Sequence, residues 1–100
     1  MTLQPDIEVS FHFYLNNKII ENYRPSHEVK DNYLTTGVHH YYDTAGDEIK
    51  GTITFLSPEC YPNCLYIGKI IKMYEGKNEI GYAKVLKIFN EILEQHYREP

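Results

Sequence analysis

In the stretch IEVSFHFYL, residues 7 to 15, every second side chain is apolar: Ile7, Val9, Phe11, Phe13 and Leu15 alternate with Glu8, Ser10, His12 and Tyr14. A period of two puts the first set on one face of an extended chain and the second on the other, which a helix cannot do. The stretch is therefore expected to be a half-buried strand with His12 on its polar face. The same alternation returns from Glu48 to Leu56, where Ile49, Gly51, Ile53 and Phe55 interleave with Lys50, Thr52 and Thr54 until Ser57-Pro58 ends the run.

Asn16-Asn17 is a turn signal after the first strand, Lys18 to Ile20 resumes briefly, and Arg24-Pro25 interrupts ladder pairing, giving a loop or bulge. Tyr33 to Tyr42 is rich in Tyr, Thr and Val and ends at the turn signal of residues 43 to 47. Two further strands are expected over Tyr66 to Tyr74 and Ile80 to Ile88, joined by Glu75-Gly76-Lys77-Asn78, which has the composition of a hairpin loop. Short strands punctuated at about ten-residue intervals predict an all-β barrel or sandwich. A short helical or irregular tail follows, with Glu91 and Glu94 in its first turn.

The 100 residues suffice for one domain, residues 1 to 100, with its core over 6 to 89 and the tail over 90 to 100. No stretch reaches the roughly 20 apolar residues of a membrane span, and MTLQPDIEV lacks the regions of a secretory signal, so a cytoplasmic location is expected. Ten Lys and Arg stand against 14 Asp and Glu, a net charge of -4 that disfavours salt-driven nucleic-acid binding. The ten tyrosines and no tryptophan suit sheets, and also interfaces where one end of the ring is wet.

Chemistry has few footholds. Cys60 and Cys64 in CYPNC are too few for a four-ligand zinc site and read as reduced, partly buried thiols. Paired with a histidine they are the only plausible nucleophile and base, yet no nucleophile-elbow context surrounds them. The chain is not expected to be an enzyme, nor to bind a cofactor, metal or nucleotide. Along residues 33 to 42, Tyr33, Thr35, Gly37, His39 and Tyr41 share one face, and Leu34, Thr36, Val38, His40 and Tyr42 the other. His39 and His40 thus point apart and cannot share a metal. Cross-strand packing with hydrogen-bonded rings is the first expectation for this strand; alternatively, His39 and Tyr41 form an exposed polar-aromatic surface, with His40 and Tyr42 inward or at a barrel rim.

Four landmarks, in order, carry a resemblance: the strand DIEVSFHFY, the Tyr-Arg-Pro element of NYRPS before the paired threonines of LTTGV, the strand GTITFLSP, and the hairpin IKMYEGKNEIGYAKV. Over most of residues 6 to 89 the chain resembles the C-terminal β-barrel, domain 3, of translation elongation factor Tu. The resemblance implies a closed antiparallel barrel of about six strands with Greek-key connections. In that family the barrel is not the catalyst; it touches the T stem of aminoacyl-tRNA and partner proteins. No G-x-x-x-x-G-K-[ST] phosphate loop is present, so the chain is not expected to be a GTPase.

Departures from the family pattern guide the functional expectation. The connection Ser26 to Leu34 is longer, Leu34 and Tyr74 stand where the family has arginines, as does Asn78, and Gly37 replaces an aspartate. Each lost arginine removes a candidate phosphate contact. The expected function is a non-catalytic binding module for a protein partner, with a link to translation implied by the resemblance. Its contacts would come from a Ser26 to Leu34 loop, the Glu75 to Asn78 hairpin, and Arg24, Tyr33, Thr35, Thr36, His39, Tyr41, Lys77 and Gly81. One alternative is a tRNA or structured-RNA module using a strip of Arg24, Lys30, Lys69, Lys72, Lys77, Lys84 and Lys87, although Lys69 and Lys72 are expected on opposite faces, as are Lys84 and Lys87. Another is an immunity-type protein that neutralises a toxin.

Overall fold

The computed structural model describes residues 4–15, 20–43 and 49–95. Six strands form a closed antiparallel barrel: β1 (Ile7–Phe13), β2 (Ser26–Lys30), β3 (Tyr33–Asp43), β4 (Ile49–Phe55), β5 (Ile70–Glu75) and β6 (Asn78–Ile88). Around the barrel the order is β1-β4-β3-β2-β5-β6, with β6 closing on β1. β2, β3 and β4 are consecutive neighbours and β5 returns beside β2, the Greek-key arrangement the resemblance implied.

The alternation read from the sequence is what fills the barrel. Ile7, Val9, Phe11 and Phe13 point inward and are buried, as are Ile49, Ile53 and Phe55 from β4. Ile71 and Met73 of β5 and Ala83 and Val85 of β6 complete the core. Fully burying side chains of this kind contributes roughly 1.5–3 kcal/mol each.

One end of the barrel is plugged rather than open. Tyr61, Leu65 and Leu93 are buried there, and the segment after β6 is laced to the 63–65 stretch by Asn63 N–H to Ile92 O at 2.8 Å, Leu65 N–H to Leu93 O at 2.8 Å and Gln95 N–H to Leu65 O at 2.6 Å. The tail is a short 3-10 turn, Glu91–Leu93, capped by the Asn90 side chain, which accepts from Ile92 N–H. Residues 96 to 100 lie outside the described residues.

Asp6 ties this closure together. Its buried carboxylate accepts from Phe55 N–H at 2.6 Å and from the Asn90 side-chain amide at 2.9 Å, joining β1, β4 and the tail. Hydrogen bonds to a charged group contribute about 1.5–3 kcal/mol, and a buried N–H left without a partner costs about 1–3 kcal/mol. Asp6→Ala is expected to lower unfolding free energy by about 2–4 kcal/mol in urea titration. A loss under about 0.5 kcal/mol would show that water replaces the carboxylate.

Several boundaries differ from expectation. Ser26 to Leu34 is not a loop: Ser26–Lys30 pairs with β3 and β5, and only Asp31 and Asn32 turn the chain. Its inward residues are His27 and Val29, so the strand period was hidden behind a histidine in an apolar position. β1 ends at Phe13, leaving Tyr14 and Leu15 exposed. Tyr66 to Lys69 precede β5 instead of belonging to it, because Gly68 turns the chain at φ +93°. β6 begins earlier than expected, at Asn78, after a tight turn in which Gly76 adopts φ +64°. The register shift between Glu8 and Val9 puts an extra β6 residue opposite them, so Lys84 and Lys87 are both exposed and not on opposite faces. The turns expected at residues 16–17 and 44–47, with Lys18, Ile19 and Glu48, fall outside the described residues.

Candidate functional site

The faces of β3 were assigned correctly as sets but with the wrong side inward. His39 is fully buried and Tyr41 half-buried, whereas His40 and Tyr42 are exposed. His39 is therefore not part of an exposed surface. Gly37 explains the inversion: a Cβ there would meet His27 Cε1 at 2.9 Å and Ile53 Cγ2 at 2.6 Å. The missing side chain leaves the interior volume that His27, also fully buried, occupies.

His27 and His39 meet inside the barrel with their Nε2 atoms 2.7 Å apart. The Thr35 carbonyl lies 3.3 Å from His27 Nδ1, and the Tyr41 hydroxyl 2.9 Å from His39 Nδ1. A carbonyl can only accept, so the proton of neutral His27 belongs on Nδ1 and its Nε2 is an acceptor. His39 then donates through Nε2 and accepts from Tyr41 at Nδ1. One direction of donation runs through the chain: Tyr41 to His39 to His27 to Thr35.

Burial holds both imidazoles neutral. Desolvation brings His27 down to about 4, only partly offset by the Thr35 carbonyl. It lowers His39 further, with His27 and His40 adding to the effect. Tyr41 is raised, first by burial and then by the Glu21 charge, so it remains a donor. Phe11 packs 4.4 Å from His39 and Phe55 5.5 Å from His27, centroid to centroid. The pair is enclosed by rings, and among the described residues no group of three His, Cys, Asp or Glu side chains is placed to hold a metal ion.

The chemistry that solvent reaches lies at the rim formed by the ends of β1 and β5 and the start of β6. Tyr14 donates to Glu79 and Tyr23 to Glu75. The carboxylate of Glu79 raises the Tyr14 hydroxyl, and burial followed by Glu75 raises that of Tyr23. Nearby, His40 Nδ1 lies 2.7 Å from the Glu21 carboxylate. A cavity of about 300 Å³ opens beside the hairpin, walled by Tyr14, Leu15 and Ile80 and edged by Glu75 and Glu79.

The expected site residues do not form one patch. Lys77 is exposed at the hairpin next to this rim, and Tyr41 approaches it from within. Arg24, just ahead of β2, and Thr36, on the outer face of β3, line a cleft of about 240 Å³ with Val38, Thr54 and Leu56. Tyr33 and Thr35 belong to the plugged end: the Thr35 hydroxyl donates to Tyr61 Oη at 3.0 Å, and Tyr33 packs against the Tyr61 ring. Gly81 is buried, and a Cβ there would lie 2.2 Å from the His12 carbonyl oxygen, so it serves close strand approach and offers no contact surface. Tyr14 and Glu79 were not among the expected contacts, whereas Glu75 belongs to the expected Glu75 to Asn78 hairpin, and His27, expected within a contact loop, is instead buried. Glu79 was legible as an acid beside a hairpin, but its pairing with Tyr14 spans 65 positions.

The fold and interior define a class: a closed six-stranded Greek-key barrel with a neutral histidine pair at its centre and an acidic, tyrosine-lined rim. Compared with known proteins, the chain matches no family model, no curated sequence and no solved structure.

Proposed function

We propose that this barrel is a non-catalytic binding module that docks a basic protein through its acidic, aromatic rim. The cavity beside the hairpin carries the reading. Tyr14, Leu15 and Ile80 offer apolar wall for the stem of a Lys or Arg side chain, and Glu79 offers a carboxylate for its head. The Tyr14 hydroxyl bond to Glu79 holds both in place before a partner arrives. Because each strand of the closed barrel has two neighbours, an added strand finds no edge, and recognition must run through side chains. The elongation-factor-like landmarks favour a partner in the translation apparatus; a basic toxin is the other form of the same interaction.

A second reading, binding of structured RNA, has one observation in its favour. His12 stacks on Tyr82 at 4.8 Å and 19° on the outer face, with Lys72 paired beside Tyr82 and Lys84 next along β6. Rings flanked by cations suit nucleobases, although the net charge of -4 opposes phosphate.

Affinity capture with and without ribonuclease, comparing the parent with Glu79→Lys, separates the two. A basic protein should survive ribonuclease on the parent and bind Glu79→Lys at least about tenfold more weakly, or about 1.4 kcal/mol. Ribonuclease-sensitive tRNA retained equally by both proteins would replace the protein reading with the RNA one.

A further inference from the structure

The other end of β5 holds a second concavity. An open cavity of about 550 Å³ lies where the end of β2 meets the loop before β5 and the segment after β6. Lys30, Asn63, Tyr66, Lys69 and Gln95 line it, with Asp31 as the acid in its wall. Two lysines against one aspartate leave a net positive charge, opposite in sign to the chain as a whole.

Lys69 is the built element of this cavity. Its half-buried ammonium donates to Val29 O at 2.6 Å and to Cys64 O at 2.7 Å. Carbonyls fix the position of the charge without neutralising it, and an ammonium has three donors, so one is left for a ligand. Lys30 stands over the Tyr33 ring at 5.1 Å. A role as a structural staple between β2 and the loop accounts for the two carbonyl bonds of Lys69. It does not account for a second lysine and two side-chain amides around the same space.

The geometry points to a binding site for a small anion, a phosphate- or carboxylate-bearing molecule held between Lys69 and Lys30 with the amides of Asn63 and Gln95 as further donors. Tyr66, exposed and with its ring 5.8 Å from the Lys69 ammonium, gives a flat wall for the rest of such a ligand. This site goes beyond the rim reading and is separated from the rim by the length of β5, so either can fail without the other.

The test is an amide NMR titration of the full chain with inorganic phosphate, with citrate, and with sodium chloride at matched ionic strength. Saturable shifts at Asn63, Tyr66, Lys69 and Gln95 are expected at low millimolar phosphate or citrate and not with chloride. Phosphate alone would identify the phosphate class, and citrate alone the carboxylate class. Lys30→Gln, at an exposed position, should weaken binding about fivefold or more with the thermal midpoint unchanged, while Glu79→Lys leaves it as in the parent. Shifts that fail to saturate, that chloride reproduces, or that persist with full affinity in Lys30→Gln would overturn the site.

Discussion

Replacing Gly51 with alanine should lower the thermal midpoint by about 12 °C or more, and replacing it with valine should abolish cooperative folding. Gly51 sits in the middle of β4, paired with Val9 of β1 on one side and Tyr41 of β3 on the other. A Cβ built there would lie 2.0 Å from the His40 carbonyl oxygen and 3.0 Å from Tyr41 Cα. Backbone, not a flexible side chain, is in the way, so β3 would have to move, and the barrel holds β3 on both edges. Overpacking costs typically 1–3 kcal/mol where neighbours can shift, and about 3 kcal/mol or more is expected here. That is a large share of the roughly 5–15 kcal/mol that stabilises a domain. Gly76 is the control: its φ of +64° disfavours a side chain, but nothing lies within 4 Å of its Cβ position, so Gly76→Ala should cost only about 1 kcal/mol. A Gly51→Ala midpoint within about 4 °C of the parent would mean that β3 and β4 separate easily.

The second large effect is a loss of stability on acidification that begins above the carboxylate range. A histidine kept neutral by burial binds fewer protons folded than unfolded, so stability rises with pH across the interval between its two pKa values. For His27 that interval runs from 6.5 unfolded to about 4 folded. Its contribution is fully present above pH 6.5 and is lost as pH falls toward 4, by about 3 kcal/mol at 1.36 kcal/mol per unit. His39, also lowered, adds in the same direction. The hydrogen-bonded chain accommodates a first proton: with His27 charged, the proton of His39 sits on Nδ1 and the Tyr41 hydroxyl turns to accept it. A second proton would place two cations 2.7 Å apart, nitrogen to nitrogen. Urea unfolding from pH 7.5 to 5 should therefore show a steady fall in the parent and a much flatter line in the His27→Leu/His39→Leu double variant. Parallel lines would mean that the pair does not control the acid response. Single His39→Leu should cost about 2–4 kcal/mol, because it leaves His27 Nε2 buried without its donor and takes from the half-buried Tyr41 hydroxyl its acceptor. Imidazole nitrogen NMR should find the proton on Nδ1 of His27 and on Nε2 of His39; the reverse tautomers would break the proposed chain.

Much of the architecture was legible because it rests on period two. Ile7 to Phe13 and Ile49 to Phe55 carry unbroken apolar alternation, and each fell within two residues of its expected bounds. β2 escaped because a histidine filled an interior position, and a polar residue type breaks the pattern even where its ring is fully enclosed. The orientation of β3 was illegible for the same reason: Tyr, Thr, Gly, His and Tyr give no clue to which face is dry, and the deciding fact is the space over Gly37 that His27 fills. The rim was harder still. Tyr14 with Glu79 and Tyr23 with Glu75 are pairs between distant positions, and no local spacing encodes them.

The pairing of β1 with β6 also shapes how this protein emerges from the ribosome. The first strand cannot complete its ladder until β6 has been synthesised, since Ile7 partners Ile88 and Phe13 partners Gly81. Until then Val9, Phe11 and Phe13 have β4 to lean on at most, and an apolar strand edge stays open to other nascent chains. Folding is thereby delayed until β6 has been synthesised, and a chain stalled before residue 80 would expose that apolar edge rather than close a smaller barrel.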